Sequence, residues 1–179
     1  MTAAVLMPTR RLPQLKTARL RLRPLTPLDA ESLRAAIDDV EVSKWLSVVP
    51  HPYTLDDALW FIGHAADSGA QVWVIDDGRL SGIIGLGDEF GYWIARDRWG
   101  RGYATEATRA VLRWHFGDGP GDDVTAGHFL DNAASARVLA KLGFRPAGPR
   151  RIPCRARGQD MDSMGMRLTR ADWQAAARA

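Results

Sequence analysis

The residues best placed to do chemistry in this 179-residue chain form a glycine turn, Trp99-Gly100-Arg101-Gly102-Tyr103-Ala104-Thr105. The turn follows a strand-like run, Phe90-Gly91-Tyr92-Trp93-Ile94, and opens a helical pattern. Glycine admits tight backbone conformations and lets a ligand approach the main chain. A helix start carries unpaired N–H groups and the positive end of the helix dipole. Strand, glycine turn and helix together therefore suit a phosphorylated ligand. Two common phosphate loops do not fit. A Walker loop needs Gly-Lys-Ser/Thr, and tyrosine follows Gly102. A dinucleotide fingerprint needs a third glycine where Thr105 stands.

A second segment narrows the choice: Asp131-Asn132-Ala133-Ala134-Ser135-Ala136-Arg137-Val138-Leu139-Ala140-Lys141-Leu142-Gly143-Phe144. With the glycine turn, and with the opening Thr17-Ala18-Arg19-Leu20-Arg21-Leu22-Arg23-Pro24-Leu25, it resembles the GNAT acyl-CoA N-acyltransferases. The likeness is greatest to the branch holding the ribosomal-protein N-terminal acetyltransferases, and it runs from about Thr17 to Arg170. It implies one GNAT domain over 1–179, acetyl-CoA as co-substrate, no metal, and an amine as acceptor. A protein N-terminus, an amino acid, a polyamine and an antibiotic amine all remain open as that acceptor. Homodimers are common in this branch and are among the implied assemblies.

The resemblance also assigns expected roles. Two central strands, Glu89–Ala95 and Val124–Leu130, should splay apart and admit CoA like an added strand. Backbone groups at Ile94 and Ala95 should meet the pantetheine amides. The pyrophosphate should rest on the turn, with Trp99 and Gly100 shaping it and the N–H groups of Arg101, Gly102, Tyr103, Ala104 and Thr105 receiving it. Many family members carry Gln or Arg where Trp99 stands; tryptophan occurs there in the ribosomal-type branch. Asn132 is both a good helix N-cap and a candidate pantetheine contact. Arg137, with Lys141 one turn on, is a candidate phosphate contact.

Acetyl transfer needs a neutral amine, a polarised carbonyl and a proton for the departing thiolate. Glu89, at the head of a central strand, is the preferred base, with Asp88, His128 and Asp131 as alternatives. Many family members take the acid from a tyrosine seven residues after the helix asparagine; that position is Leu139 here. Ser135 is the remaining hydroxyl on that face and becomes the candidate acid and a further CoA contact. The missing tyrosine keeps open a second class of function, a CoA-binding module with little or no catalysis. Trp45 and Tyr92, beside Tyr53 and Trp93, are candidate acceptor contacts. Cys154 has no readable His or Asp partner for a covalent mechanism, and the four histidines have no metal-ligand spacing.

These groups need a scaffold, and the patterning supplies a mixed α/β order. Strands are expected at Ala18–Leu25, Gln71–Ile75, Arg79–Leu86, Glu89–Ala95 and Asp123–Leu130, with two late strands near Phe144–Pro149 and Met161–Leu168. Asp77-Gly78 reads as a hairpin turn. Helices are expected over Leu28–Ile37, from Val40 to Leu46, from the Thr54 cap to Ser68, over Gly102–Phe116 and Asn132–Leu142, and from Ala171. In the GNAT arrangement these elements build a mixed, mainly antiparallel twisted sheet, splayed at its centre, with helices on both faces.

Composition agrees with a globular enzyme. Hydrophobic residues make up 46% and charged residues 25%, with a net charge of +3, ordinary values for one domain. No apolar run reaches the ~20 residues that span a membrane. Met1 to Gln14 lacks a signal-peptide core. One cysteine allows no internal disulfide and fits a reducing cytoplasm. Arginines cluster at 145, 150, 151, 155 and 157, without the basic stripe and motif of a nucleic-acid binder.

Overall fold

The computed structural model describes residues 12–176; most of the N-terminal stretch read above lies outside them. Eight strands form one sheet in the order β1-β2-β3-β4-β5-β6-β8-β7. They are β1 (Leu15–Lys16), β2 (Arg21–Pro24), β3 (Gln71–Asp76), β4 (Leu80–Leu86), β5 (Phe90–Ile94), β6 (Val124–Phe129), β7 (Arg145–Cys154) and β8 (Gln159–Leu168). The helices are α1 (Ala30–Ile37), α2 (Val40–Ser43), α3 (Leu55–Asp67), α4 (Tyr103–Gly117), α5 (Ala133–Lys141) and α6 (Arg170–Ala176).

The sheet separates two apolar clusters. Trp73, Ile75, Ile84, Phe90 and Ile94 pack with Val111 and Leu112 of α4 and Leu139 of α5. On the opposite side, Val74 and Ile83 pack with Leu33 and Ile37 of α1 and Ile62 of α3. Both faces of β3 are covered, so Val72-Trp73-Val74-Ile75 is a continuous apolar run rather than an alternating one.

Every neighbouring strand pair is antiparallel except β5 and β6. That parallel pair is joined only at Phe90 and Ala126. Beyond it β5 stays on β4 through Ile94, and β6 stays on β8 through Phe129. The sheet thus opens as a wedge toward the starts of α4 and α5, where the expected splay lies.

Local chemistry sets the helix ends. Thr54 and Asp57 form a capping box at α3. Asn132 caps α5 by accepting from the Ser135 N–H at 3.0 Å. Gly143, at φ +91°, ends that helix in the left-handed region, and the Phe144 N–H returns to the Leu139 carbonyl.

Two strands differ from expectation. The early strand is short because Thr17 turns the chain and β2 begins only at Arg21. The late strand β7 runs on to Cys154 despite Pro146, Pro149 and Pro153. It lies at the sheet edge, where proline's missing N–H breaks no ladder.

Candidate active site

A cavity of about 900 Å³ occupies the wedge and continues past the sheet to the cluster beneath α1 and α3. Twelve of the expected site residues line it: Trp45, Glu89, Tyr92, Ile94, Trp99, Gly100, Gly102, Tyr103, Ala104, Thr105, Asn132 and Ser135. Ala95, Arg101 and Arg137 lie outside that lining. Ala95 is buried and its N–H bonds to the Ser81 carbonyl at 2.9 Å. Outward-facing backbone groups alternate along an antiparallel strand, so those of Tyr92 and Ile94 face the gap instead. Arg137 is exposed on α5, and Arg101 extends from an exposed turn position toward the Asp97 carbonyl.

The glycine turn is built on left-handed backbone. Gly100 and Gly102 sit at φ +74° and +76°, a region that side chains disfavour. No side chain caps α4. The Glu106 N–H is bonded to the Gly102 carbonyl at 3.1 Å, leaving the N–H groups of Tyr103, Ala104 and Thr105 ahead of the first helical bond. An anion fits there by backbone donors and helix dipole together.

Two ion pairs fix this turn. Asp77, in the β3–β4 hairpin, accepts from Ser81 Oγ at 2.6 Å, Arg98 Nε at 2.7 Å and Tyr103 Oη at 3.1 Å. Burial pushes its carboxyl up, but these donors outweigh it and hold the group below the usual carboxylate range. Glu106 likewise accepts from Thr17 Oγ1 and from the Arg19 backbone and guanidinium, tying the N-terminal segment to α4. Burial raises its carboxyl and these bonds more than offset the rise. Arg19 also lies over the Tyr103 ring, 5.1 Å from its centroid.

Trp99 Nε1 donates to the Ile94 carbonyl at 2.7 Å. Its indole therefore joins the turn to the end of β5 and occupies one acceptor site of the very backbone expected to hold pantetheine. Its surface is 44% exposed, so the ring borders the cavity rather than the core.

Across the wedge, Tyr92 Oη from β5 lies 3.2 Å from Ser135 Oγ on α5. Burial pushes the Tyr92 phenol up, and the Ser135 hydrogen bond opposes only part of the rise. The phenol therefore keeps its proton at neutral pH. Leu139, at the position where many relatives carry tyrosine, is 1% exposed and packs in the core. The phenol beside Ser135 thus stands on the strand and not on the helix. Sequence reading placed Tyr92 among acceptor contacts and gave no sign of this pairing, because 43 residues separate the two groups.

Glu89 is held by Arg150 through both guanidinium nitrogens, one contact measuring 3.0 Å. Arg150 reaches from β7 across β8 and β6. A side chain at Gly127 would run into its guanidinium, and Gly165 is also crossed closely. Glycine in these two strands leaves a flat track for the arginine. The Arg150 Nε is buried with no hydrogen-bond partner. At the other rim, Arg157 bonds Asp131 at 2.6 Å and the Lys44 carbonyl at 2.8 Å. Its guanidinium carbon lies 4.6 Å from the Trp45 ring centroid, so Trp45 is clamped as part of the wall. Arg150 and Arg157 belong to the arginine cluster noted in the sequence.

The family model for the acetyltransferase (GNAT) domain matches residues 19–145. A Bacillus subtilis protein named "Putative ribosomal N-acetyltransferase YdaF" is 27% identical over 171 residues, covering 87% of this chain and 93% of that one. Another, "Uncharacterized N-acetyltransferase YoaA" from the same organism, is 30% identical over 151 residues, covering 76% and 85%. Mycobacterium smegmatis RimJ, solved in complex with CoA-disulfide, superposes with a TM-score of 0.74 at 21% identity, covering 94% of this chain and 96% of that one; this likeness is one of fold. A sheet splayed at its centre, an uncapped helix start beside the gap and a family match across both motifs agree, and the chain belongs to the GNAT acetyltransferase family.

Proposed function

We propose that this chain transfers an acetyl group from acetyl-CoA to a primary amine by direct attack within a ternary complex. The observation that carries the reading is the wedge between β5 and β6. It joins the uncapped start of α4 and the Tyr92–Ser135 pair in one cavity. Pyrophosphate would rest on the N–H groups of Tyr103, Ala104 and Thr105, and Asn132 has a free amide nitrogen for the pantetheine arm. Acetyl-CoA supplies the activated thioester.

The chain's own groups handle the protons. As the amine nitrogen bonds to the acetyl carbon, the carbon–sulfur bond breaks. Ser135 Oγ and Tyr92 Oη deliver one proton to the departing sulfur, with either hydroxyl able to refill the other across 3.2 Å. Glu89, directly or through water, receives the proton that the amine loses. Its pairing with Arg150 engages both carboxylate oxygens. That pairing favours a second reading, a CoA-binding module with little turnover.

The names of the relatives suggest a protein N-terminus as one acceptor. Titration calorimetry with acetyl-CoA and CoA, followed by a thiol-release screen over amines and peptides, tests both readings. Tight binding with turnover is expected. Tight binding with no turnover on any amine would establish the inert module, and no binding would overturn both.

A further inference from the structure

The part of the cavity on the α1–α3 side has no assigned ligand. Its walls there are Leu33, Ile37, Val42, Val49, Phe61 and Ile83. Leu33, Ile37 and Val42 are 1%, 2% and 3% exposed, so this end is closed by the second apolar cluster. It is continuous with the cavity at Tyr92 and Ser135. The charged side chains that line the cavity all lie elsewhere and are already paired: Glu89 with Arg150, Arg98 with Asp77, and Asp131 with Arg157.

We propose that this arm receives a bulky apolar side chain carried on the carbon next to the acceptor amine. The proposal rests on the acetyltransferase reading above and names the substrate class of that site. A polyamine or an antibiotic amine would bring further ammonium groups into a space offering no free carboxylate. Each would lose its hydration without a partner. An acidic or lysyl neighbour would suffer the same cost. A leucyl-sized group instead gains by leaving water. The same surroundings favour the neutral form of the amine, which is the form that attacks. The walls thus help to deprotonate the acceptor as well as to select it.

Two sources share this chemistry, the N-terminus of a peptide and a free amine. The test uses the full chain with short peptides differing only in the first residue (Leu, Ala, Lys or Asp), with isoamylamine and with spermidine. Two readouts are taken: kcat/KM by thiol release, and calorimetric binding to the CoA-loaded protein. The Leu peptide is expected to exceed the Ala peptide by about 10- to 100-fold in both, the range set by burying one such side chain. The Lys and Asp peptides and spermidine fall lower still. Isoamylamine equal to the Leu peptide identifies a free amine as the source, and a strong advantage for the peptide identifies a chain N-terminus. Val49→Asp should abolish the Leu preference while acetyl-CoA affinity stays within twofold. Val49→Ala, which only widens the arm, should move the preference to larger first residues. Lys, Asp or spermidine matching Leu in either readout overturns the proposal, as does a Leu preference that survives in both variants. Leu-selective binding without turnover would keep the arm's assignment and sink the catalytic reading; absence of binding and turnover for every amine sinks both.

Discussion

The two sides of the sheet offer a ligand different chemistry. On the α4–α5 side the cavity presents backbone N–H groups, two glycines in the left-handed region, and the Asn132, Ser135 and Tyr92 side chains. On the α1–α3 side it presents apolar walls from scattered elements, with paired charges kept at the rim. The first kind suits a ligand that never changes, because backbone donors at a helix start demand an anion. The second can change with one wall residue, because apolar burial has no direction. In the proposed function, the α4–α5 side is therefore the constant donor half of the site and the α1–α3 side the adjustable acceptor half.

The harshest way to break this contrast is Gly102→Asp. It places a carboxylate at the anion site and an L side chain at φ +76°. Acetyl-CoA affinity should fall at least about 100-fold by calorimetry, from charge repulsion with a strain cost of roughly 1–2 kcal/mol. Gly102→Ala, which keeps only the strain, should fall far less. Equal losses would mean that conformation, not anion binding, governs the turn.

Tyr92→Phe and Ser135→Ala should each lower kcat by about 10- to 100-fold, with acetyl-CoA affinity little changed. If the hydroxyls work as a unit, the double variant should be little worse than either single one. Losses that simply multiply would separate them. The proton must be present for donation, and the Tyr92 phenol is raised from its ordinary value of 10.0. The alkaline limb of kcat should therefore lie above pH 10.0 and change in Tyr92→Phe.

Glu89→Gln should slow the reaction roughly tenfold or more, most at acid to neutral pH, where unassisted amine is scarcest. Arg150→Gln, which removes the partner holding both Glu89 oxygens, should change the rate as well. An unchanged profile in both variants would remove Glu89 as base.

Asp77→Asn sharpens the comparison on the stability side. It should cost about 1–3 kcal/mol in chemical denaturation, because Arg98 loses its buried partner. Asp77's carboxyl is lower in the folded protein than its unfolded value of 3.8. Its contribution is therefore complete above pH 3.8 and disappears as pH falls through the lower folded value. The wild type should lose more stability than the variant on acidification through that window. The smallest effect expected is in Trp99→Phe, which deletes one hydrogen bond to the Ile94 carbonyl. A loss of about 0.5–1.5 kcal/mol in stability is expected, with the acetyl-CoA constant altered by less than tenfold.

Much of the local structure was legible because its determinants are short-range. The Thr54–Asp57 box, the Asn132 cap and the Gly143 terminus each act within one helical turn, and their residue types announce them. The Asp77-Gly78 turn between two apolar runs is of the same kind. β7 was under-read for an opposite reason. Three prolines argue against a strand unless the strand is known to be an edge, and only the sheet order makes it one. Ala95 was misplaced by one step of the pleat, because its direction follows from register with β4.

The sequence alone determined the glycine turn, the helix that follows it and the family. These depend on φ angles and caps that neighbouring residues control. Tertiary structure decided that Tyr92 and Ser135 meet, what restrains Glu89 and which walls close the α1–α3 end of the cavity. Tyr92 meets Ser135 across 43 positions, and Arg150 meets Glu89 across 61. Such contacts exist only once strand order and register place distant residues on one face, where a shift of a single residue would turn each side chain away.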